Sequence, residues 1–199
     1  MVAMTMSFVG CDKNETIEPN IQQDVPLEEE PSRLKTGNVH ANYYPNSAVS
    51  YALQYALAYN SSYQAQTNDC ANFISQCLDA GALPQDNEWS YSKFLAGTDY
   101  TWVRAGELYD YLVSSNYDLS SRTHYYLYLR ETRYLKPGDL VFYFNQYGNC
   151  KHVTIVTMIG SDAYISGHTD DRKNYPLRTS FNNWKTNGGI SYIVTLHFN

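Results

Sequence analysis

Three runs decide the fold class: Asp139-Leu140-Val141-Phe142-Tyr143-Phe144, His152-Val153-Thr154-Ile155-Val156-Thr157-Met158-Ile159 and Ala163-Tyr164-Ile165-Ser166-Gly167. Each is short, rich in β-branched and aromatic residues and separated from the next by turn formers, which is how strands read. Ile190 to Phe198 extends the pattern, with Ile190, Tyr192, Val194, Leu196 and Phe198 at alternate positions of one face. Upstream the period is helical. After Pro45, with Asn46 or Ser47 as cap, Val49, Ala52, Leu53, Ala56 and Leu57 recur at helix spacing. Tyr51, Tyr55 and Tyr59 form a second stripe, expected to be a half-buried packing face. Asn68 or Asp69 caps a second helix that buries Phe73, Ile74, Cys77 and Leu78 and stops at Gly81. After a loop-like stretch from Pro84 to Thr101, a third helix is predicted from Val103 to about Ser115; Tyr125 to Leu129 fits a helix or an edge strand equally well. Helices first and an antiparallel sheet afterwards make an α+β fold.

The 199 residues carry 14 Lys+Arg against 20 Asp+Glu, a net charge of −6, and 20 tyrosines. An acidic chain with no basic cluster argues against nucleic acid as a partner, because affinity for a phosphate backbone rests on clustered positive charge. No apolar run approaches the roughly 20 residues of a membrane-crossing helix. Residues 12–36 hold Asp12, Glu15, Glu18, Asp24, Glu28, Glu29 and Glu30 against Lys13, Arg33 and Lys35, with three of the seven prolines and no aromatic residue. Such a stretch cannot bury enough apolar surface to offset its ordering entropy, so 12–38 reads as a disordered acidic linker and 39–199 as one folded domain, nearly neutral and expected to be monomeric. Residues 1–11 carry no charge and end Ser7-Phe8-Val9-Gly10-Cys11, which resembles the close of a bacterial lipoprotein signal. That layout of anchor, tether and domain points to the cell envelope or the exterior, with membrane contact only through a lipid on Cys11.

Setting Cys11 aside leaves Cys70, Cys77 and Cys150, an odd number, so at least one thiol is free. Cys70 falls in the first turn of the second helix, where unpaired amides and the helix dipole favour a thiolate. Cys77 lies on the buried face and reads as core filler; Cys150 sits in a turn-rich stretch with no evident role. A cysteine nucleophile needs a base. His40, His124 and His197 read as surface histidines, whereas His152 opens a strand, where a side chain faces a cleft on a rigid support. A third group should orient the imidazole. A three-residue loop at Gly160-Ser161-Asp162 would pair Ile159 with Ala163, set His152 opposite Asp170 and place His168 one pair away on the same face. A two-residue loop would put His168 on the opposite face. His168 and Asp170 therefore remain rivals.

Thr67-Asn68-Asp69-Cys70-Ala71-Asn72-Phe73-Ile74-Ser75-Gln76-Cys77-Leu78, with Gly81 after it, resembles the nucleophile helix of the bacterial putative amidase domain family. Leu135-Lys136-Pro137-Gly138-Asp139-Leu140-Val141-Phe142 and His152-Val153-Thr154-Ile155-Val156 resemble the Pro-Gly-Asp and histidine strands of the wider papain-like group, which includes NlpC-type cell-wall peptidases and CHAP amidases. Ser166-Gly167-His168-Thr169-Asp170-Asp171-Arg172 resembles the amidase family's third motif, and together the motifs span about Asn42 to Tyr192. The resemblance implies a papain-like fold, Cys70 as nucleophile, His152 as general base and acid, His168 as the orienting residue and Asp69 as a substrate-holding aspartate, with no cofactor or metal. Ala71 stands where the NlpC-type enzymes usually have Ser, which puts their particular peptide specificity in question. The expected activity is thiol-dependent hydrolysis of amide bonds in cell-wall peptide (peptidoglycan) or related substrates. The alternative is a noncatalytic surface lipoprotein that binds glycan or peptide, with Trp89, Tyr91 and Trp102 as candidate cleft aromatics. A zinc site of Cys150, His152, His168 and Asp170 ranks last, since the spacing fits no structural zinc pattern.

Overall fold

The structure is a computed structural model that describes residues 32–33, 42–125, 127 and 131–199. The lipoprotein-like start and His40 lie outside the described residues, as does the 12–38 stretch apart from Ser32 and Arg33 and most of 125–129. The elements run β1 (Ser32–Arg33), α1 (Pro45–Tyr55), α2 (Cys70–Ala80), α3 (Tyr91–Leu95), α4 (Ala105–Ser114), β2 (Leu119–His124), a 3-10 turn (Glu131–Tyr134), β3 (Leu140–Asn145), β4 (Cys150–Ile159), β5 (Ala163–Gly167), β6 (Arg172–Pro176), α5 (Leu177–Asn187) and β7 (Ile190–Phe198). The strands form one sheet in the order β1-β2-β7-β3-β4-β5-β6, antiparallel throughout.

The α+β class is as expected, but the helices do not all precede the sheet. α5 intervenes between β6 and β7 and covers the second face, where Leu177 and Phe181 join Val141, Tyr143, Val156, Ile165 and Ile193. On the first face α1, α2 and α4 pack Ala52, Phe73, Ile74, Leu78 and Leu108 against Leu140, Phe142, Val153, Ile155, Val194 and Leu196. Each fully buried large aliphatic or aromatic side chain stabilises the fold by about 1.5–3 kcal/mol. Ile190 belongs to the α5 face rather than to the face of Val194 and Leu196, because the β3–β7 register shifts at Phe144/Asn145.

Local chemistry explains the helix ends. α1 begins one residue earlier than its expected caps: Tyr44 is the N-cap without a side-chain bond and Pro45 takes the first turn, where its missing N–H has no partner to lose. Asp69 does cap α2 by position, but its carboxylate turns away to other partners. The Pro-Gly-Asp motif is a turn tied on three sides. Gly138 holds φ +98° where a Cβ would collide with the Pro45 ring, and Tyr43 Oη donates to its carbonyl at 3.0 Å. Asp139 accepts from the Lys136 N–H (2.8 Å) and faces His197 Nδ1 (2.6 Å), locking β3 to β7. His197 is therefore a half-buried partner of Asp139, and His124 is buried, so neither is the plain surface histidine expected.

Candidate functional site

The β4–β5 hairpin decides which histidine meets which helix. Its loop is the three-residue one, with Ile159 opposite Ala163 and Met158 opposite Tyr164. A bulge at Thr157 then shifts the register by one, so that Val156 faces Ile165 and Ile155 faces Ser166. Continued to the hairpin's open end, this register puts His168 on the face of Val153 and Ile155, toward α2, and His152 on the opposite face, toward α5. Their ring contacts agree. His168 packs on Phe73 (4.1 Å between centroids) and Tyr59 (4.4 Å), whereas His152 stacks on Trp184 of α5 (4.6 Å, 23°) and lies beside Tyr143 (5.2 Å).

His168 does not orient His152. Its Nδ1 lies 2.6 Å from Asp69 Oδ2 and its Nε2 donates to the Tyr55 carbonyl at 2.9 Å, so both ring nitrogens are committed to the helical layer. Asp69 is 1% exposed and equally committed: Oδ1 accepts from the Gln66 N–H (2.7 Å) and Asn72 Nδ2 (2.8 Å). Asn72 continues the network through Oδ1, which accepts from Trp102 Nε1 (3.0 Å), and Ser75 links the Trp102 carbonyl to Trp89 Nε1. The residues assigned to substrate holding and base orientation thus meet each other, as a buried brace between the start of α2 and the end of β5. Trp89 and Trp102 are fully buried and stacked at 5.0 Å, so these two are core rather than cleft lining.

Cys70 is the first residue of α2. The backbone of Val153 and Ala71 and the Thr169 side chain favour its thiolate, but burial outweighs them and pushes the thiol up. Thr169 holds φ +82°, a strained conformation for a β-branched residue, directly at this sulfur. His152 does not hydrogen-bond the thiol. It is 3% exposed, its Nδ1 has no partner, and burial pushes the imidazole down to about 3. The two groups share one neighbour: Trp184, stacked on His152, also lines a groove of about 410 Å³ with Asn68, Cys70, Arg104, Glu107, Lys151 and Thr169. Trp184 is the site residue that sequence reading missed. Pro176 followed by Leu177, Phe181 and Trp184 at helix spacing was the available signal.

The remaining thiols among the described residues are free. Cys77 is fully buried among apolar neighbours, as expected of core filler, and its thiol is pushed up by burial. Cys150 is half-buried at the start of β4, its Sγ donating to the His152 carbonyl at 3.5 Å. With His152 and His168 on opposite faces, the four residues considered for zinc do not converge, and no group of three ligand-type side chains gathers among the described residues. Nor is any described helix long and apolar enough to cross a membrane.

Among known proteins, the chain is similar to an uncharacterized protein, YhbB, of Bacillus subtilis (strain 168), 31% identical over 123 residues, which is 55% of this chain and 35% of that protein. The chain thus spans about a third of that curated relative's length. No solved structure matches it. The putative amidase domain family matches residues 42–193, from the residue before Tyr43 through β7's Ile193, taking in α2, the Pro-Gly-Asp turn, both histidines and α5; the chain belongs to that family.

Proposed function

We propose that the protein is a thiol-dependent amide hydrolase of papain-like architecture, with Cys70 as nucleophile and His152 as base, acting on bacterial cell-wall peptide or a related amide at the cell envelope. The observation that carries this reading is the position of Cys70. It opens a helix and lines an open groove together with Trp184, the residue stacked on His152. In the reaction His152 Nε2 accepts the Cys70 proton and the sulfur attacks the amide carbonyl. The oxyanion takes the Cys70 N–H, an amide in the first turn of α2 that has no intrahelical acceptor. The imidazolium then protonates the departing amine, and water, deprotonated by His152, releases the acid from the acyl-enzyme.

Burial holds both groups neutral at rest, so proton transfer accompanies attack on an electrophile, amide or alkylating agent alike, and a substrate filling the groove excludes water and strengthens the attraction between thiolate and imidazolium. Asp69 and His168 serve as the brace that fixes the start of α2 against the end of β5, and so set where the sulfur points. The test is release of amines from purified wall peptides. Cys70→Ala should lower the rate at least about a thousandfold. Undiminished release by that variant would defeat the assignment. Equal retention of wall material by both proteins, with turnover by neither, would leave the binding alternative.

A further inference from the structure

Behind His152, on the α5 side, lies a cavity of about 20 Å³, the room of a single water, lined by His152, Thr154, Ser180, Asn183 and Trp184 among others. Two of its lining residues, two apart on the same face of β4, carry buried polar atoms without partners, His152 Nδ1 and Thr154 Oγ1. Buried polar atoms are rarely left unmet, so a pair of them beside one water-sized space points to a shared partner. We infer that Thr154 is a positioning residue for His152, acting through one water that bridges Thr154 Oγ1 and His152 Nδ1.

The inference rests on the base assignment above and explains how it operates. For Nε2 to accept the Cys70 proton it must carry the lone pair, so Nδ1 must carry the hydrogen and needs an acceptor. His168 does not supply one, because its nitrogens are engaged on the other face. Tyr143, directly across from His152, shares a hydrogen bond with Ser180 Oγ at 3.0 Å and leaves His152 Nδ1 without a partner. A water that accepts from Nδ1 and donates to Thr154 Oγ1 fixes the tautomer and receives part of the charge when the imidazolium forms. The backbone prepares the threonine for this. Its methyl packs where Gly167 has no side chain, with Cγ2 at 3.0 Å from the site of a Cβ, and this contact holds the Thr154 rotamer. The parallel stack of Trp184 holds the ring plane.

The test uses the full chain and two readouts: the rate at which iodoacetamide alkylates Cys70, resolved from Cys150 by peptide mass spectrometry, and the ¹⁵N signals of His152, which report which nitrogen carries the hydrogen. Thr154→Val keeps the shape and removes the hydroxyl. It should slow Cys70 alkylation about tenfold and shift His152 away from the Nδ1–H form, with Thr154→Ser restoring both. Wild-type alkylation in Thr154→Val, alongside slow alkylation in His152→Asn, would overturn the role of Thr154 and leave the base assignment standing. Wild-type alkylation in His152→Asn would overturn the base assignment and this inference with it.

Discussion

The two histidines at the open end of the β4–β5 hairpin sit sixteen positions apart in sequence and on opposite faces of one sheet. His168, on the helical face, has every polar atom matched: Asp69, Tyr55, Gln66, Asn72 and Trp102 close a network with no loose end. His152, on the α5 face, is as deeply buried but meets only an indole, a phenol and a water-sized cavity. A saturated polar cluster rigidifies a fold, and an unsaturated one keeps a group free to exchange a proton. On the proposed reading the difference separates the scaffold of this site from its reactive part, although both are built from the same residue type.

The comparison breaks most readily at Asp69. Asp69→Ala strips His168 of its carboxylate and leaves an imidazole with no partner at Nδ1 in the core, so urea unfolding at neutral pH should lose about 3–5 kcal/mol. A loss under about 1 kcal/mol would mean that the brace is dispensable. A smaller effect comes from acid. Burial holds the folded imidazoles of His152 at about 3 and His124 at about 4, against 6.5 as the ordinary value. Below 6.5 the unfolded chain binds protons that the folded chain refuses, so stability is complete above about pH 6.5 and falls as pH drops toward the folded values. Between pH 7 and pH 5 each histidine should account for about 2 kcal/mol of lost stability, and His124→Asn should remove about half of the combined slope. The smallest change in stability is predicted for His152→Asn, which removes an imidazole whose Nδ1 bonds no protein group and should stay within about 1 kcal/mol of wild type while abolishing amide hydrolysis. Equal damage to stability from Asp69→Ala and His152→Asn would erase the distinction between the two faces.

How far the sequence could be read depended on where the information sat. β5 and β7 coincide with their expected runs and β3 and β4 differ by one or two residues, because apolar β-formers with flanking turn residues fix strands locally. β2 was missed because Leu-Ser-Ser-Arg-Thr-His is polar; it is a strand through its pairing with β7, a contact made some seventy residues away. α5 was missed for a related reason, since Leu177, Phe181 and Trp184 are diluted by Arg, Asn, Lys and Thr. At the site, Cys70 at a helix start and His152 in a strand follow from local pattern. The partners of His168 and Asp69 do not, because they depend on a bulge that no residue type at Thr157 announces. Trp89 and Trp102 show the opposite error: two aromatics in an irregular segment looked available for ligand, whereas stacking and the hydrogen bonds of Ser75 and Asn72 draw them into the core.

The bulge at Thr157 has a consequence for how relatives are to be aligned. In a two-stranded hairpin the parity of the residue count between two positions fixes whether they share a side, and a bulge between them reverses that rule without changing the loop or the motifs. A homologue that kept both histidines at the same sixteen-residue spacing but paired these strands without the bulge would carry them on one side of its sheet. One spacing therefore gives a brace with the bulge and a second imidazole beside His152 without it, and equivalence of the two letters in an alignment is no guarantee of equivalence in space.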